Sequence, residues 1–232
     1  MKRFPRFDRI ERAVHWCNAA LFLLLMVTGA SLYFEPLARV VANRHTVKTI
    51  HVYAGLLLPV PVLVGLIAPA GSQFRRDVAR FNRWTAEDKR WWFPSRHAGT
   101  QVGKFNPGQK LNAVFVGAAI VLMLMSGSVM RWFEPFPDSM RTGATFVHDW
   151  TFIALVFVVV GHVMFALADF DSLRGMVRGW VPERWAREEH PVWWAEIVAA
   201  YGSADAGGDV EARAHERLGE AGARAGEMPV GD

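Results

Sequence analysis

Charged residues divide the chain into long apolar blocks separated by polar segments. Ala13 to Phe34, Thr49 to Phe74 and Leu111 to Met130 contain no Asp, Glu, Lys or Arg, and Thr142 to Ala168 contains only Asp149. A helix rises about 1.5 Å per residue and a hydrocarbon core is about 30 Å thick, so each block is long enough to cross a bilayer. Buried helices of a soluble fold rarely repeat such blocks four times with polar loops between them. The pattern therefore predicts an all-α membrane protein, a four-transmembrane-helix bundle with helices over about 13–34, 49–70, 111–131 and 144–168. Leu32, Tyr33, Phe34, Glu35 and Pro36 lack a small-residue cleavage pattern, which makes the first block a retained helix rather than a signal peptide.

Charge adds an orientation. Lys2, Arg3, Arg6, Arg9 and Arg12 precede the first block, nine more Lys or Arg lie between Pro69 and Lys110, and Arg174, Arg178, Arg184 and Arg187 follow the fourth block. The other two loops hold only Arg39, Arg44, Lys48, Arg131 and Arg141. By the positive-inside bias, this places both termini in the cytoplasm of a multi-pass protein in the inner (plasma) membrane. The net charge of +4 then reflects topology and membrane lipid, with no nucleic-acid partner implied. Trp-rich, Arg-rich stretches around Arg83–Phe93 and Trp180–Tyr201 suit amphipathic segments at headgroup level. Residues 1–201 form the membrane domain, and 202–232, poor in large apolar residues, reads as a flexible polar tail. No internal repeat is visible. The single cysteine, Cys17, excludes an intrachain disulfide and a thiolate cluster.

Four of the eight histidines fall inside the blocks: His15, His51, His148 and His162. Polar side chains at membrane depth are costly and are functional candidates by default, although any one taken singly is better explained by a hydrogen bond to a neighbouring helix. His148 and His162 are fourteen residues apart, about 40° from eclipsed and about 21 Å apart along one helix. With the topology above, His15 matches the depth of His162, and His51 that of His148. Two imidazoles from facing helices are how a bundle core grips a haem, whereas zinc would need four ligands at one level. Gly29, Gly55, Gly117, Gly127 and Gly161 would permit close approach of a flat ring, or simply helix packing. Arg12, Arg44, Lys48 and Arg141 lie where propionates would sit, as boundary cations do in any case. Asp149 has two readings, orienting a histidine or carrying protons on one side and capping on the other. His45, His97, His190 and His215 fall in loops and compete poorly.

The opening Phe7-Asp8-Arg9-Ile10-Glu11-Arg12-Ala13-Val14-His15-Trp16, the approach His51-Val52-Tyr53-Ala54-Gly55 and the segment Gly103-Lys104-Phe105-Asn106-Pro107-Gly108-Gln109-Lys110-Leu111-Asn112 carry a resemblance. From Arg6 to about Trp194 the sequence resembles the gamma subunit of membrane-bound formate dehydrogenases, a di-haem cytochrome b within the cytochrome b561-like superfamily. The resemblance implies two b haems, with His15 and His162 on the cytoplasm-side iron and His51 and His148 on the outer one. It also implies a quinone pocket, for menaquinone or ubiquinone, lined by Asn106, Gly108, Gln109 and His162. The partners it implies are an iron-sulfur (beta) subunit and a molybdenum or tungsten catalytic (alpha) subunit. Electrons would pass from the iron-sulfur partner through both haems to quinone, with no formate-oxidising site in this chain. Related four-helix cytochromes serve hydrogenases and other oxidoreductases or stand alone as cytochrome b561-type proteins, and these are the alternatives.

Overall fold

The computed structural model describes residues 3–40, 43–93 and 101–201. His97, His215 and the tail 202–232 lie outside the described residues. In chain order the elements are β1 (Arg3–Pro5), α1 (Arg9–Tyr33), α2 (Glu35–Val40), α3 (Arg44–Leu57), α4 (Val60–Ile67), α5 (Ser72–Phe81) and α6 (Ala86–Trp91). After these come α7 (Pro107–Arg131), α8 (Asp138–Ala168), α9 (Phe170–Arg178), β2 (Trp180–Pro182), α10 (Glu183–Glu189) and α11 (Pro191–Tyr201). Four helical stretches are long and apolar enough to span a membrane: Arg9–Tyr33, Arg44–Ile67, Pro107–Arg131 and Asp138–Ala168. The chain divides into two compact units, one of Met1–Arg12, Ile67–Leu111 and Ala166–Asp232, the other of Ala13–Leu66 and Asn112–Phe165.

The second unit holds most of the spans. Its outward side chains are large and apolar: Leu23, Phe157 and Phe165 are all exposed. Such a surface is unstable in water and stable in hydrocarbon, provided that the backbone groups are satisfied within helices. The second span is interrupted at Leu58 and Pro59. Pro59 and Pro61 have no N–H to donate to the preceding turn, and the Leu58 N–H closes a tighter turn onto the Gly55 carbonyl at 3.3 Å.

The first unit packs its aromatic residues differently from the expectation. β1 and β2 pair antiparallel, with Phe4 opposite Val181, which adds a small sheet to an otherwise helical fold. Phe4, Val181, Trp185, Ala186 and Trp193 form a buried core with Trp194, Ile197 and Val198 against it. Trp185 and Trp193 are thus core residues rather than headgroup anchors, because the N-terminal strand covers the face that an isolated amphipathic helix would present to lipid. Gly179 closes α9 in the left-handed region at φ 87°, and its carbonyl accepts from the Arg6 and Phe7 amides. A Cβ there would stand 2.9 Å from the Phe7 carbonyl oxygen, so only glycine fits.

Ion pairs fix the segment that leads into α7. The Lys104 ammonium, almost fully buried, bonds Glu11 at 3.2 Å and also Asp77. Lys110 bonds both oxygens of Asp88 at 2.8 Å and the Arg83 carbonyl at 2.9 Å. Burial pushes the Asp88 carboxyl up, but the bonds from Lys110 and Thr85 outweigh it and hold the group below its ordinary range. Residues 103–110 therefore leave little freedom at the start of α7.

Candidate functional site

Within the second unit the structure brings the four membrane histidines together in two pairs. The rings of His15 on α1 and His162 on α8 have centres 6.1 Å apart. Those of His51 on α3 and His148 on α8 are 6.3 Å apart. Among the described residues, no group of three or more His, Cys, Asp or Glu side chains gathers as a metal site, so each level offers two imidazoles.

That spacing suits a haem. An iron–nitrogen bond of about 2 Å on either side, plus about 1 Å from each nitrogen to its ring centre, requires ring centres about 6 Å apart. Direct hydrogen bonding between two imidazoles would bring the rings closer.

Two hydroxyls that the sequence reading missed bear on the same test. Thr28 Oγ1 lies 2.8 Å from His51 Nδ1, and Ser126 Oγ lies 3.0 Å from His148 Nδ1. Each hydroxyl donates its own proton to the carbonyl four residues back, Leu24 and Leu122 respectively, both at 2.7 Å. Toward the imidazole each oxygen therefore accepts, which places the ring proton on Nδ1 and the free lone pair on Nε2. A neutral imidazole with a fixed Nδ1–H and an open Nε2 is the form that binds iron.

The glycines separate into groups. A Cβ on Gly29 would stand 3.2 Å from His51 Cε1, and one on Gly127 would stand 3.3 Å from His148 Cε1. Gly55 faces Leu25, while nothing lies within 4 Å of a Cβ on Gly117 or Gly161. Thr28-Gly29 and Ser126-Gly127 are each followed by Phe-Glu-Pro, at 34–36 and 133–135, so a short sequence motif recurs. Its two copies differ in spacing by one residue, which conceals it from a fixed-period search.

Three of the boundary cations have protein partners. Arg12 donates to the Asp8 and Val177 carbonyls, Arg44 to the Leu32 carbonyl, and Arg141 pairs with Asp138. Asp149 lies well inside α8, whose first residue is Asp138, and so does not cap it.

In the first unit, Asn106, Gly108 and Gln109 come together at the start of α7. The Gln109 amide donates to Asn106 Oδ1 at 2.9 Å, and the Asn106 amide donates to Gln109 Oε1 at 3.0 Å. This is a reciprocal cap, and Pro107 sits at the first helical position, where its missing N–H is harmless. The cap occupies both side-chain oxygens and leaves both NH₂ groups as donors. A Cβ on Gly108 would meet Asn106 Oδ1 at 3.3 Å and Trp91 Cη2 at 3.6 Å. His162, the fourth residue that the resemblance assigns to quinone, belongs to the second unit with His15.

His190, set aside in the sequence, is a buried structural residue. Its Nδ1–H donates to the Gly103 carbonyl at 2.6 Å, and Arg6 Nη2 lies 3.5 Å from its Nε2. Burial, then the Arg6 charge, lower its pKa to about 3.

Comparison with known proteins adds to this geometry. The family model described as "Prokaryotic cytochrome b561" matches residues 6–179. The chain is 27% identical over 205 residues to "Formate dehydrogenase, cytochrome b556 subunit" of Haemophilus influenzae, which covers 84% of each chain. It is 25% identical over 207 residues to "Formate dehydrogenase, nitrate-inducible, cytochrome b556(Fdn) subunit" of Escherichia coli, covering 86% of this chain and 94% of the relative. To "Formate dehydrogenase, cytochrome b556(fdo) subunit" of the same species it is 27% identical over 200 residues, covering 83% and 92%.

Proposed function

Since the chain belongs to the prokaryotic cytochrome b561 family, we propose that it is the membrane cytochrome b subunit of a formate dehydrogenase complex, passing electrons from an iron-sulfur partner to a membrane quinone. The observation that carries this reading is the presence of two imidazole pairs at iron-ligand spacing in an apolar bundle, in a chain similar along most of its length to three such subunits.

His15 with His162, and His51 with His148, hold one b haem each. Bound there, haem supplies reversible one-electron transfer. The protein's part is to fix the ligands, exclude water and set the field around each level. Thr28 and Ser126 keep the Nδ1 protons of His51 and His148 away from the iron side of each ring.

Quinone takes two electrons and two protons to become quinol. The Asn106 and Gln109 NH₂ groups, fixed by the reciprocal cap, are suited to donate to a quinone carbonyl and stabilise the negative charge that develops on its oxygen. Gly108 leaves room for the Asn106 Oδ1 of the cap and for the Trp91 ring, which a Cβ there would meet at 3.3 and 3.6 Å. The cation bias supports cytoplasmic termini in the inner membrane, with the His15–His162 level on the cytoplasmic side and the His51–His148 level outside. Electrons entering from outside and protons taken from the cytoplasm would build a membrane potential.

The test is isolation of the protein from its native membrane in mild detergent. The reading expects co-isolation of an iron-sulfur protein with a molybdenum or tungsten enzyme, and reduction of the b haems by formate. A hydrogenase partner, or haems that formate leaves oxidised in the intact complex, would overturn it.

A further inference from the structure

The two imidazole pairs differ in their surroundings. At one level both ligands donate from Nδ1 to a hydroxyl whose own proton is committed to a carbonyl. Thr28 and Ser126 are themselves buried, 7% and 5% exposed, so water does not compete for these bonds. At the other level, among the described residues, neither His15 nor His162 has a hydrogen bond to its ring.

We propose that Thr28 and Ser126 are positioning residues that hold the haem of the His51–His148 pair at a lower redox potential than the haem of the His15–His162 pair. The inference rests on the haem reading above and extends it to residues that touch no iron. An Nδ1–H that donates to a fixed acceptor makes Nε2 a stronger electron donor. A more basic ligand stabilises ferric iron over ferrous and lowers the potential. Both ligands of one iron carry this bond, so the effect acts from two sides.

The following glycines keep the device in register. Gly29 and Gly127 sit against the Cε1 edges of the same rings at distances where an added methyl would force a shift of a few tenths of an ångström. Hydroxyl and glycine are adjacent in sequence on both α1 and α7, and the hydroxyl faces a histidine 23 residues further along the chain in one case and 22 in the other. Two hydroxyl–glycine pairs thus apply one arrangement to one haem. The resulting order of potentials favours electron movement from the His51–His148 level toward the His15–His162 level.

The experiment is a spectroscopic redox titration of the purified holoprotein in wild-type form and as Thr28→Val, Thr28→Ser and Ser126→Ala. The haem of the His51–His148 pair is first identified as the one lost in His148→Ala. Thr28→Val removes the acceptor with little change of shape, and the expected result is a shift of that haem to a more positive midpoint with the other haem unmoved. Thr28→Ser keeps the acceptor and should keep the wild-type midpoint. Ser126→Ala should shift the same haem in the same direction. Unchanged midpoints in both Thr28→Val and Ser126→Ala, or equal shifts of both haems, would overturn the proposal. If Thr28→Val fails to assemble, Ser126→Ala against wild type decides it alone. Wild-type protein without haem at this level would instead overturn the haem reading itself, which separates the two failures.

Discussion

Asn106 and Gln109 cap each other: each side-chain oxygen accepts the other residue's backbone amide, at 2.9 and 3.0 Å. The same two side chains therefore start a helix and present two amide NH₂ donors. The cap and the proposed quinone contact thus share the same side chains, and a simple alanine substitution would remove both.

A pair of substitutions separates them. Gln109→Glu keeps an oxygen for the Asn106 amide and adds a negative charge at a helix N-terminus, which is tolerated, but deletes the donor. Reoxidation of reduced haem by a quinone analogue should slow roughly threefold to tenfold, matching one lost hydrogen bond of about 0.5 to 1.5 kcal/mol. Stability should stay near wild type. Gln109→Ala should show the same kinetic loss together with about 0.5 to 2 kcal/mol of destabilisation from the lost cap. Stopped-flow absorbance and thermal unfolding check the two halves, and wild-type kinetics in Gln109→Glu would move the quinone elsewhere.

Haem content follows from the two pairs. Purified protein should carry two b haems per chain by pyridine haemochrome assay, and His51→Ala or His148→Ala should leave one. His15→Ala or His162→Ala should remove the other. Two haems retained in His148→Ala or in His162→Ala, or loss of the same haem in both variants, would contradict the pairing by ring distance.

The apolar blocks and the four membrane histidines were legible in the sequence because each is an intrinsic property of a segment: hydrocarbon length in one case, the cost of a polar group at depth in the other. The pairing was legible too, since 3.6-residue periodicity relates His148 to His162 on one helix. What lay hidden depended on neighbours far along the chain. Thr28 and Ser126 resemble any small residues in a membrane helix until the next span brings a ring nitrogen against them. Trp185 and Trp193 read as interfacial anchors because nothing local reveals that Arg3–Pro5 will pair with Trp180–Pro182 and cover them. Lys104 and Lys110 read as loop cations, whereas the fold buries them against Asp77, Glu11 and Asp88.

Sidedness rests on the distribution of cations. A reporter that is active only in the cytoplasm, fused after Asp232, should be active, and one that needs the periplasm should be silent. A second fusion in the short loop between α7 and α8, near Pro135, should give the opposite pattern. Periplasmic activity at Asp232 would invert the electron path proposed above.

In the first unit, acid sensitivity follows from a buried histidine. His190 is buried and neutral, donating from Nδ1 to the Gly103 carbonyl while its Nε2 faces Arg6, and its folded pKa lies at about 3 against an ordinary 6.5. The unfolded chain therefore binds this proton more readily than the folded one. Stability from the buried neutral ring is fully present above about pH 6.5 and is lost progressively as pH falls from there toward about 3. The Asp88 carboxyl, held below its ordinary 3.8 by Lys110 and Thr85 despite burial, acts in the same direction but only at lower pH. Between pH 7 and pH 5 the contribution of His190 is thus a fall in unfolding temperature as the pH drops. His190→Asn retains a donor for the Gly103 carbonyl and cannot titrate, so its unfolding temperature should fall less over that interval. Hydrogen exchange at the Val181 and Trp185 amides, which lie in the core beside His190, localises the effect. An equal loss in His190→Asn and wild type would assign the acid sensitivity to other groups.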